Sequence, residues 1–172
     1  MNILMLKKIL SFLFEKRENI KKDFNRVLPI GDYISDRWEK ARYCGFGEST
    51  SIYDSSLVLG NVNVGVNCWI GPFTILDGSG GLLSIGNNCN ISAGVHLYTH
   101  DTVDTVLYGD EIKKANTLIG NNVYIGPNTI VTKGVTIGDN VVIGANSFVN
   151  KDIPSWTKAF GTPIKIISSI KQ

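Results

Sequence analysis

The chain has 172 residues, and its 17 Lys and Arg are nearly balanced by 15 Asp and Glu. This length allows one domain with a modest extension and a buried core. Basic residues form no continuous stripe along the repeats of the chain, so we do not expect nucleic-acid binding. The three cysteines form no CxxC pair. We therefore expect Cys68 and Cys89 to be buried free thiols, which suits the reducing cytoplasm.

The N-terminal stretch predicts an amphipathic helix from Asn2 to about Phe24, with apolar residues at helical spacing and basic residues on the remaining surface. Such a helix can lie on an anionic membrane, so one expectation is a peripheral membrane contact through residues 1–24. The other expectation is that the helix docks on the rest of the chain or on a neighbouring subunit.

No segment reaches the about 20 apolar residues that cross a bilayer. The stretch MNILMLKKILSFLF also lacks a charged start and a cleavage site, so we expect no signal peptide. These features predict a cytoplasmic protein, or one at the inner face of the membrane.

A second helix is predicted in DRWEKARYC, after a break at LPIG. Ser35 or Asp36 can cap its start, and Gly45 and Gly47 can end it. We expect residues 1–56 to form a helical extension.

The stretch from Ile119 to Pro154 repeats every six residues, as IGNNVY, IGPNTI, VTKGVT, IGDNVV, IGANSF and VNKDIP. Each unit opens with a branched aliphatic residue, and its fifth position is small or β-branched. A period of six fits neither a helix nor a long strand. It predicts a parallel β-helix in which three units close a triangular coil, with both of these positions inside.

The same spacing starts near Leu57, so we expect a mainly β fold with a β-helix over residues 57–154 and a cap over residues 155–172. A nine-residue step predicts a three-residue insertion within Asp77–Gly81. The pattern is then absent over residues 98–117. We expect a loop excursion there, and such long loops are frequently functional.

Together with these repeats, the motifs ISAGVHLYTHD, NKDIP and GTPIK resemble the hexapeptide-repeat acyltransferases, more narrowly the sugar O-acetyltransferases of maltose, galactoside and polysaccharide type. The resemblance covers roughly residues 57–167, and the THD and NKDIP…GTPIK segments are its most specific parts. It implies a left-handed β-helix, a homotrimer, and acetyl-CoA bound between adjacent subunits. No metal is implied.

Transfer of an acyl group to a hydroxyl needs a base, and histidine, with a pKa of about 6.5, is suited to this task. The chain has two histidines. His96 directly precedes a core aliphatic on a predicted strand, so it should face outward. His100 matches the catalytic histidine of the family at THD. The resemblance implies that His100 deprotonates the acceptor, which attacks the thioester directly; the rival interpretation is a loop histidine without a role.

Register places Asp77 one coil from Tyr98 and close to the loop that carries His100. Asp77 could orient the imidazole, bind a sugar hydroxyl, or merely satisfy turn amides. Tyr98 and Asp101 are further candidates for acceptor binding, although Asp101 is also compatible with a solvated loop.

For the cofactor, the resemblance places Lys151 and Lys165 at the phosphates of coenzyme A, where a compact ammonium is suitable. Gly144 and Ala145 match the small residues beside the pantetheine chain. Either lysine could instead be an ordinary surface residue.

The sequence thus favours an acetyl-CoA-dependent O-acetyltransferase acting on a sugar or a surface-polysaccharide precursor. An N-acetyltransferase acting on a nucleotide-linked amino sugar would use the same machinery. A zinc carbonic anhydrase built on the same solenoid needs three histidine ligands, and this chain has two. A non-catalytic scaffold is the remaining class.

Overall fold

The elements follow the order expected for helices ahead of a solenoid. A computed structural model describes residues 2–170. The helices are α1 (Ile3–Phe24), α2 (Gly31–Ile34), α3 (Arg37–Tyr43) and α4 (Val103–Tyr108). The strands are β1 (Ser51–Ile52), β2 (Leu57–Val64), β3 (Trp69–Ile70), β4 (Ile75–Ile85), β5 (Asn90–Ile91), β6 (His96–Tyr98), β7 (His100–Asp101), β8 (Lys113–Lys114), β9 (Thr117–Ile119), β10 (Tyr124–Ile125), β11 (Ile130–Val131), β12 (Thr136–Ile137), β13 (Val142–Ile143), β14 (Phe148–Val149), β15 (Thr157–Phe160) and β16 (Lys165–Ser169).

The strands stack into the three faces of a parallel β-helix. One face has the order β1-β3-β5-β10-β13-β15, with β16 at its end. The second contains β6, β11 and β14, and the third contains β9 and β12. Strands β2 and β4 turn a corner: β4 pairs with β6 through its first residues and with β9 through its last. The predicted parallel β-helix is therefore confirmed.

The core consists of the aliphatic residues that open the repeats. On the first face, Ile70, Ile91, Ile125 and Ile143 are fully buried. Burial of each such side chain contributes about 1.5–3 kcal/mol, so the repeat is itself the main source of stability. The fifth positions are buried as well, and Cys68 and Cys89 occupy small inward slots as the predicted free thiols.

One corner of the coils is built from residues with left-handed backbone angles: Ser49, Asn67, Asn88, Asn122, Asn140 and Trp156. Asparagine tolerates this conformation better than most residues. The amide Nδ2 of Asn67 donates to Oδ1 of Asn88 at 3.3 Å, Asn88 donates to Asn122 at 3.2 Å, and Asn122 donates to Asn140 at 3.0 Å. This asparagine ladder links successive coils outside the core.

The β-helix begins earlier than the sequence indicates. Strand β1 pairs in parallel with β3, so the first coil contains Ile52, six residues ahead of Val58 and within the predicted 1–56 extension. Lys40 of α3 fixes the extension to this coil by donating to three backbone carbonyls, those of Tyr53, Asp54 and Ser56, at 3.0, 2.8 and 2.9 Å.

The helical extension contains one element that the sequence does not predict. The one-turn helix α2 forms in the expected break, where the hydroxyl of Tyr33 accepts a hydrogen bond from the Leu28 amide at 2.8 Å. Asp36, rather than Ser35, caps α3. Within α1, Leu13 is the buried residue. No helix among residues 2–170 has the length and apolarity needed to span a bilayer.

The excursion over residues 98–117 is more ordered than a plain loop. Strands β7 and β8 pair in antiparallel fashion at its base, and α4 lies between them. At the other end of the chain, β15 joins the first face beside β13, and β16 folds back along β15.

Candidate active site

The two irregularities of the repeat, the insertion and the excursion, meet at one place on the β-helix. Asp77 pairs with Tyr98, as the register predicts. The Gly80 amide donates to the hydroxyl of Thr99 at 3.0 Å, and the Leu82 amide donates to Oδ1 of Asn116 at 2.8 Å. The insertion and the residue that follows it are therefore bonded to the two ends of the excursion.

His100 lies at this junction and faces Asp77. Its Nδ1 is 3.8 Å from Oδ2 of Asp77, slightly beyond hydrogen-bonding distance. The Asp77 side chain is 8% exposed and that of His100 is 28% exposed. The other Asp77 oxygen, Oδ1, accepts from the Ser79 amide at 2.9 Å. Nδ1 of His100 is buried, with no hydrogen-bond partner among residues 2–170, so the Asp77 carboxylate is the group placed to accept a hydrogen bond from Nδ1–H.

Two buried threonines, which the sequence reasoning did not identify, hold the strands on either side. The Thr99 hydroxyl donates to the carbonyl of Asp77 at 2.8 Å, and the Thr117 hydroxyl donates to the carbonyl of Tyr98 at 2.8 Å. Both residues are fully buried. A threonine two residues from an inward aliphatic was the available signal, because a buried hydroxyl requires a partner.

Asp101, next to His100, is bound within its own chain. Its Oδ2 forms an ion pair with Lys133, and its Oδ1 accepts from the Val103 amide at 3.2 Å. The hydrogen bond from Lys133 holds the pKa of the Asp101 carboxyl below its ordinary value. A second ion pair joins Asp104 to Lys113 and raises the pKa of that lysine. Lys133 was not a candidate from the sequence, because it lies in an ordinary repeat.

His96 faces outward, as expected, and is directed toward Tyr98. The Tyr98 hydroxyl lies 3.3 Å from Nδ1 of His96, and the two rings meet edge to face. Burial, with a smaller effect of the Asp77 charge, raises the pKa of Tyr98. Tyr98 therefore has Asp77 beside it on the neighbouring coil and His96 on its own strand.

The four candidate cofactor residues lie on coils C-terminal to that of His100. Lys151 and Lys165 are exposed, and neither forms an ion pair within residues 2–170. Gly144 is half-buried and Ala145 is exposed, at the corner that follows β13. Exposed ammonium groups fit a phosphorylated ligand.

Comparison with known proteins identifies the family. Residues 116–151 match the family described as bacterial transferase hexapeptide (six repeats). The galactoside O-acetyltransferase of Escherichia coli (strain K12) is 38% identical over 159 residues, which cover 91% of this chain and 70% of the relative. This chain belongs to the hexapeptide-repeat acyltransferases. The solved galactoside acetyltransferase in complex with coenzyme A superimposes with a TM-score of 0.67 and 29% identity, covering 92% of this chain and 82% of that one.

A further relative of this hexapeptide-repeat acyltransferase is Protein CapG of Staphylococcus aureus, which is 47% identical over 93 residues. That match covers 52% of this chain and spans about half of CapG, 54% of its length. The left-handed β-helix predicted from the sequence is confirmed by these similarities, and so are acyltransferase membership and a coenzyme A thioester as the family's acyl donor. Among residues 2–170, no three His, Cys, Asp or Glu side chains are grouped as a metal site requires.

Proposed function

We propose that this hexapeptide-repeat acyltransferase transfers acetyl from acetyl-CoA to a hydroxyl of a sugar or a surface-polysaccharide precursor, with His100 as general base. One observation carries the proposal. The His100 imidazole is partly accessible, while its Nδ1 is buried and faces the Asp77 carboxylate at 3.8 Å. A carboxylate behind one ring nitrogen orients a histidine for proton transfer at the other.

In this arrangement Nε2 is the nitrogen available to an acceptor. Acetyl-CoA supplies an activated thioester. Nε2 of His100 takes the proton of the acceptor hydroxyl, whose oxygen forms the new ester bond as the C–S bond breaks. The imidazolium then returns the proton to the departing sulfur. Asp77 stabilises the imidazolium, and the 3.8 Å separation needs only a small adjustment to become a hydrogen bond.

The candidate residues divide between orienting the base and contacting the acceptor. Asp77 orients His100, and Tyr98, which pairs with it, forms part of the acceptor surface. Asp101 was also a candidate for acceptor binding. Because both of its oxygens already have partners in the chain, its contribution is to hold the segment that carries His100.

Acetyl-CoA lies along the C-terminal coils in this proposal. Lys151 and Lys165 neutralise its phosphates, since both ammonium groups are exposed and form no ion pair within the described part of the chain. Gly144 and Ala145 lie beside its pantetheine chain at the corner that follows β13.

The active unit in this proposal is a homotrimer. The second face of the β-helix presents one column of outward residues: Leu57, Ile75, His96, Ile130 and Phe148. These side chains are exposed or half-buried in the single chain. An apolar column of this length favours burial against another copy, and a three-fold arrangement suits a triangular solenoid.

The place of action in this proposal is the cytoplasm, with a peripheral contact of α1 at the inner face of the membrane. Large apolar side chains along this helix are exposed, including Ile3, Leu4, Phe12 and Phe14. Basic residues occupy much of its remaining surface, which suits anionic lipid. Sedimentation with anionic and with neutral vesicles tests this: binding to anionic vesicles supports it, and equal exclusion from both contradicts it in favour of packing against a neighbouring subunit.

A panel of acceptors tests the reaction. Purified protein and acetyl-CoA are incubated with sugars, oligosaccharides and nucleotide-linked amino sugars, and released thiol is measured. Thiol release that requires a sugar hydroxyl supports O-acetylation. Release with amino sugars alone would make the N-acetyltransferase alternative correct. If none of the acceptors caused thiol release, a non-catalytic scaffold would be favoured.

A further inference from the structure

A hollow in the N-terminal extension has no role in the chemistry proposed above. It lies between the end of α1 and the α2–α3 segment and has a volume of about 240 Å³. A second hollow of about 400 Å³ adjoins it and shares Ile20, Phe24, Asp32, Ser35 and Asp36 with it. These volumes are close to the about 300–1,000 Å³ of small-molecule sites. None of the residues that line either hollow is a candidate at the His100 site.

Asp32 contributes a buried carboxyl oxygen that lacks a donor. Its side chain lines both hollows, and the residue is only 8% exposed. Oδ1 accepts from the Asp54 amide at 2.8 Å, which fixes the direction of the carboxyl group. Oδ2 is buried, and within residues 2–170 nothing donates a hydrogen bond to it. Buried acceptors in folded proteins nearly always have a donor, so a ligand that carries one fits here.

An aromatic residue lines the same hollow as Asp32. Trp38 lines the hollow and remains 44% exposed. The guanidinium of Arg37 lies 4.8 Å from the Trp38 ring centre and 4.7 Å from that of Tyr53, so it is held between the two rings. Stacking of this kind fixes the Trp38 ring before any ligand arrives, which lowers the entropic cost of binding.

The charges around the two hollows identify the class of ligand. The charged lining residues are three basic and three acidic: Lys16, Arg26, Arg37, Asp23, Asp32 and Asp36. A phosphate site would need an excess of basic groups. A balanced set beside an aromatic ring suits an uncharged, polyhydroxylated ligand, whose hydroxyls can donate to Asp32 and accept from arginine while its C–H face contacts Trp38.

We propose that the hollow lined by Asp32 and Trp38 is a binding subsite for a neutral sugar ring, separate from the His100 site. It would hold a second sugar unit of a longer acceptor or a free glycan. The choice of sugars as ligands rests on the proposed function. The binding itself requires neither acetyl-CoA nor turnover.

The test uses ¹⁹F NMR of the full-length protein labelled with 5-fluorotryptophan. The chain has three tryptophans, so three resonances are expected, and each can be assigned by a Trp→Phe variant. The probes are methyl α-glucoside, methyl β-galactoside, N-acetylglucosamine and maltose, with inorganic phosphate as the anionic comparison. We expect at least one sugar to shift the Trp38 resonance saturably, with no shift by phosphate.

Two variants examine the lining. Asp32→Asn should weaken sugar binding about tenfold or more. Its oxygen remains bonded to the Asp54 amide, so an NH2 group, which donates, replaces the Oδ2 acceptor. Arg26→Ala removes an exposed side chain and should weaken binding without affecting folding, so it decides the question if Asp32→Asn misfolds. Unchanged Trp69 and Trp156 resonances serve as the check of folding.

The outcomes separate this inference from the proposed reaction. His100→Ala should abolish turnover and leave the Trp38 response intact. The subsite is overturned if no sugar shifts the Trp38 resonance, or if phosphate shifts it instead. It is also overturned if sugar shifts this resonance equally in a folded Arg26→Ala variant. If Trp38 responds while no acceptor releases thiol, the subsite stands and the proposed function fails.

Discussion

Gly80 lies directly against His100. A Cβ atom at residue 80 would come within 2.5 Å of the His100 Cβ and equally close to the carbonyl oxygen of Thr99. Only a glycine therefore permits the present position of the proposed base. The three-residue insertion that carries Gly80 is the platform on which His100 rests.

Gly80→Ala should accordingly displace the imidazole. A misplacement of about 1 Å can cost about 10²-fold in rate, so we expect turnover to fall by that order while acetyl-CoA affinity stays unchanged. Steady-state kinetics with calorimetry of acetyl-CoA binding measures both. Gly81→Ala is the milder comparison, since its Cβ would come within 2.8 Å of the Asn116 side chain but no nearer than 3.3 Å to backbone, and it does not meet His100. Equal rates for Gly80→Ala and wild type would show that His100 is not the base or tolerates displacement.

His100→Ala should lose turnover by about 10²–10⁴-fold, the usual contribution of a general base. His96→Ala is its control and should keep most activity, since His96 contacts Tyr98 on the outer face. If His100→Ala kept normal turnover while His96→Ala lost it, the base would be His96 and the assignment to His100 would be wrong.

Lys151→Ala and Lys165→Ala should each weaken acetyl-CoA binding by about 1–3 kcal/mol, the range of a charge-assisted hydrogen bond. Isothermal calorimetry gives the affinity directly. Lys8→Ala, on the exposed surface of α1, is the control. Unchanged affinity in the Lys151, Lys165 double variant would remove both residues from the cofactor site.

Light scattering should report three times the 18.8 kDa mass of one chain. Ile130→Lys places a charge within the outward column, and burial of an unpaired charge is costly. We expect this variant to dissociate at micromolar protein, whereas Lys158→Ala, on the first face, should not. A wild-type monomer at the same concentration would exclude a site shared between subunits.

The Asp101–Lys133 ion pair should control how tightly the excursion is held, with a defined pH dependence. Because the pKa of Asp101 is lowered in the folded protein, the stabilisation is complete above the ordinary aspartate pKa of about 3.9 and is lost as pH falls through the lowered value. The rate of pepsin cleavage within α4 measures how tightly the excursion is held. Lys133→Ala should be cut faster than wild type near pH 4, and the two rates should converge as Asp101 is protonated. Lys133→Arg should restore the wild-type rate.

Much of the fold could be predicted because the buried aliphatic residues that open the repeats recur in the sequence at a spacing of six. Counting along the chain also placed Asp77 opposite Tyr98, since stacked coils preserve register. The contact of Gly80 with His100 could not be found this way. It joins two irregular segments, and no period relates their positions. The ion pair between Asp101 and Lys133 could not be found either, because Asp101 lies in the excursion, where the six-residue period is lost.

Short elements held by tertiary bonds escaped prediction for a related reason. One turn of α2 has little stability of its own and depends on the bond between Leu28 and Tyr33. No glycine or asparagine follows Ile52 in the two-residue strand β1. The only sequence signal for its place in the first coil is therefore one aliphatic residue six positions ahead of Val58.

The asparagine ladder has a direction, and its last corner is occupied by Trp156 instead of another amide. The Trp156 amide donates to the carbonyl of Asp139, so this residue takes the corner position that follows Asn140. An indole cannot accept the amide proton that a further asparagine would. A solenoid that ended in a free amide and an open strand would offer a template to the end of another molecule. The indole therefore ends the column of amides, and the antiparallel pairing of β16 with β15 interrupts the parallel stacking on which a further coil would build.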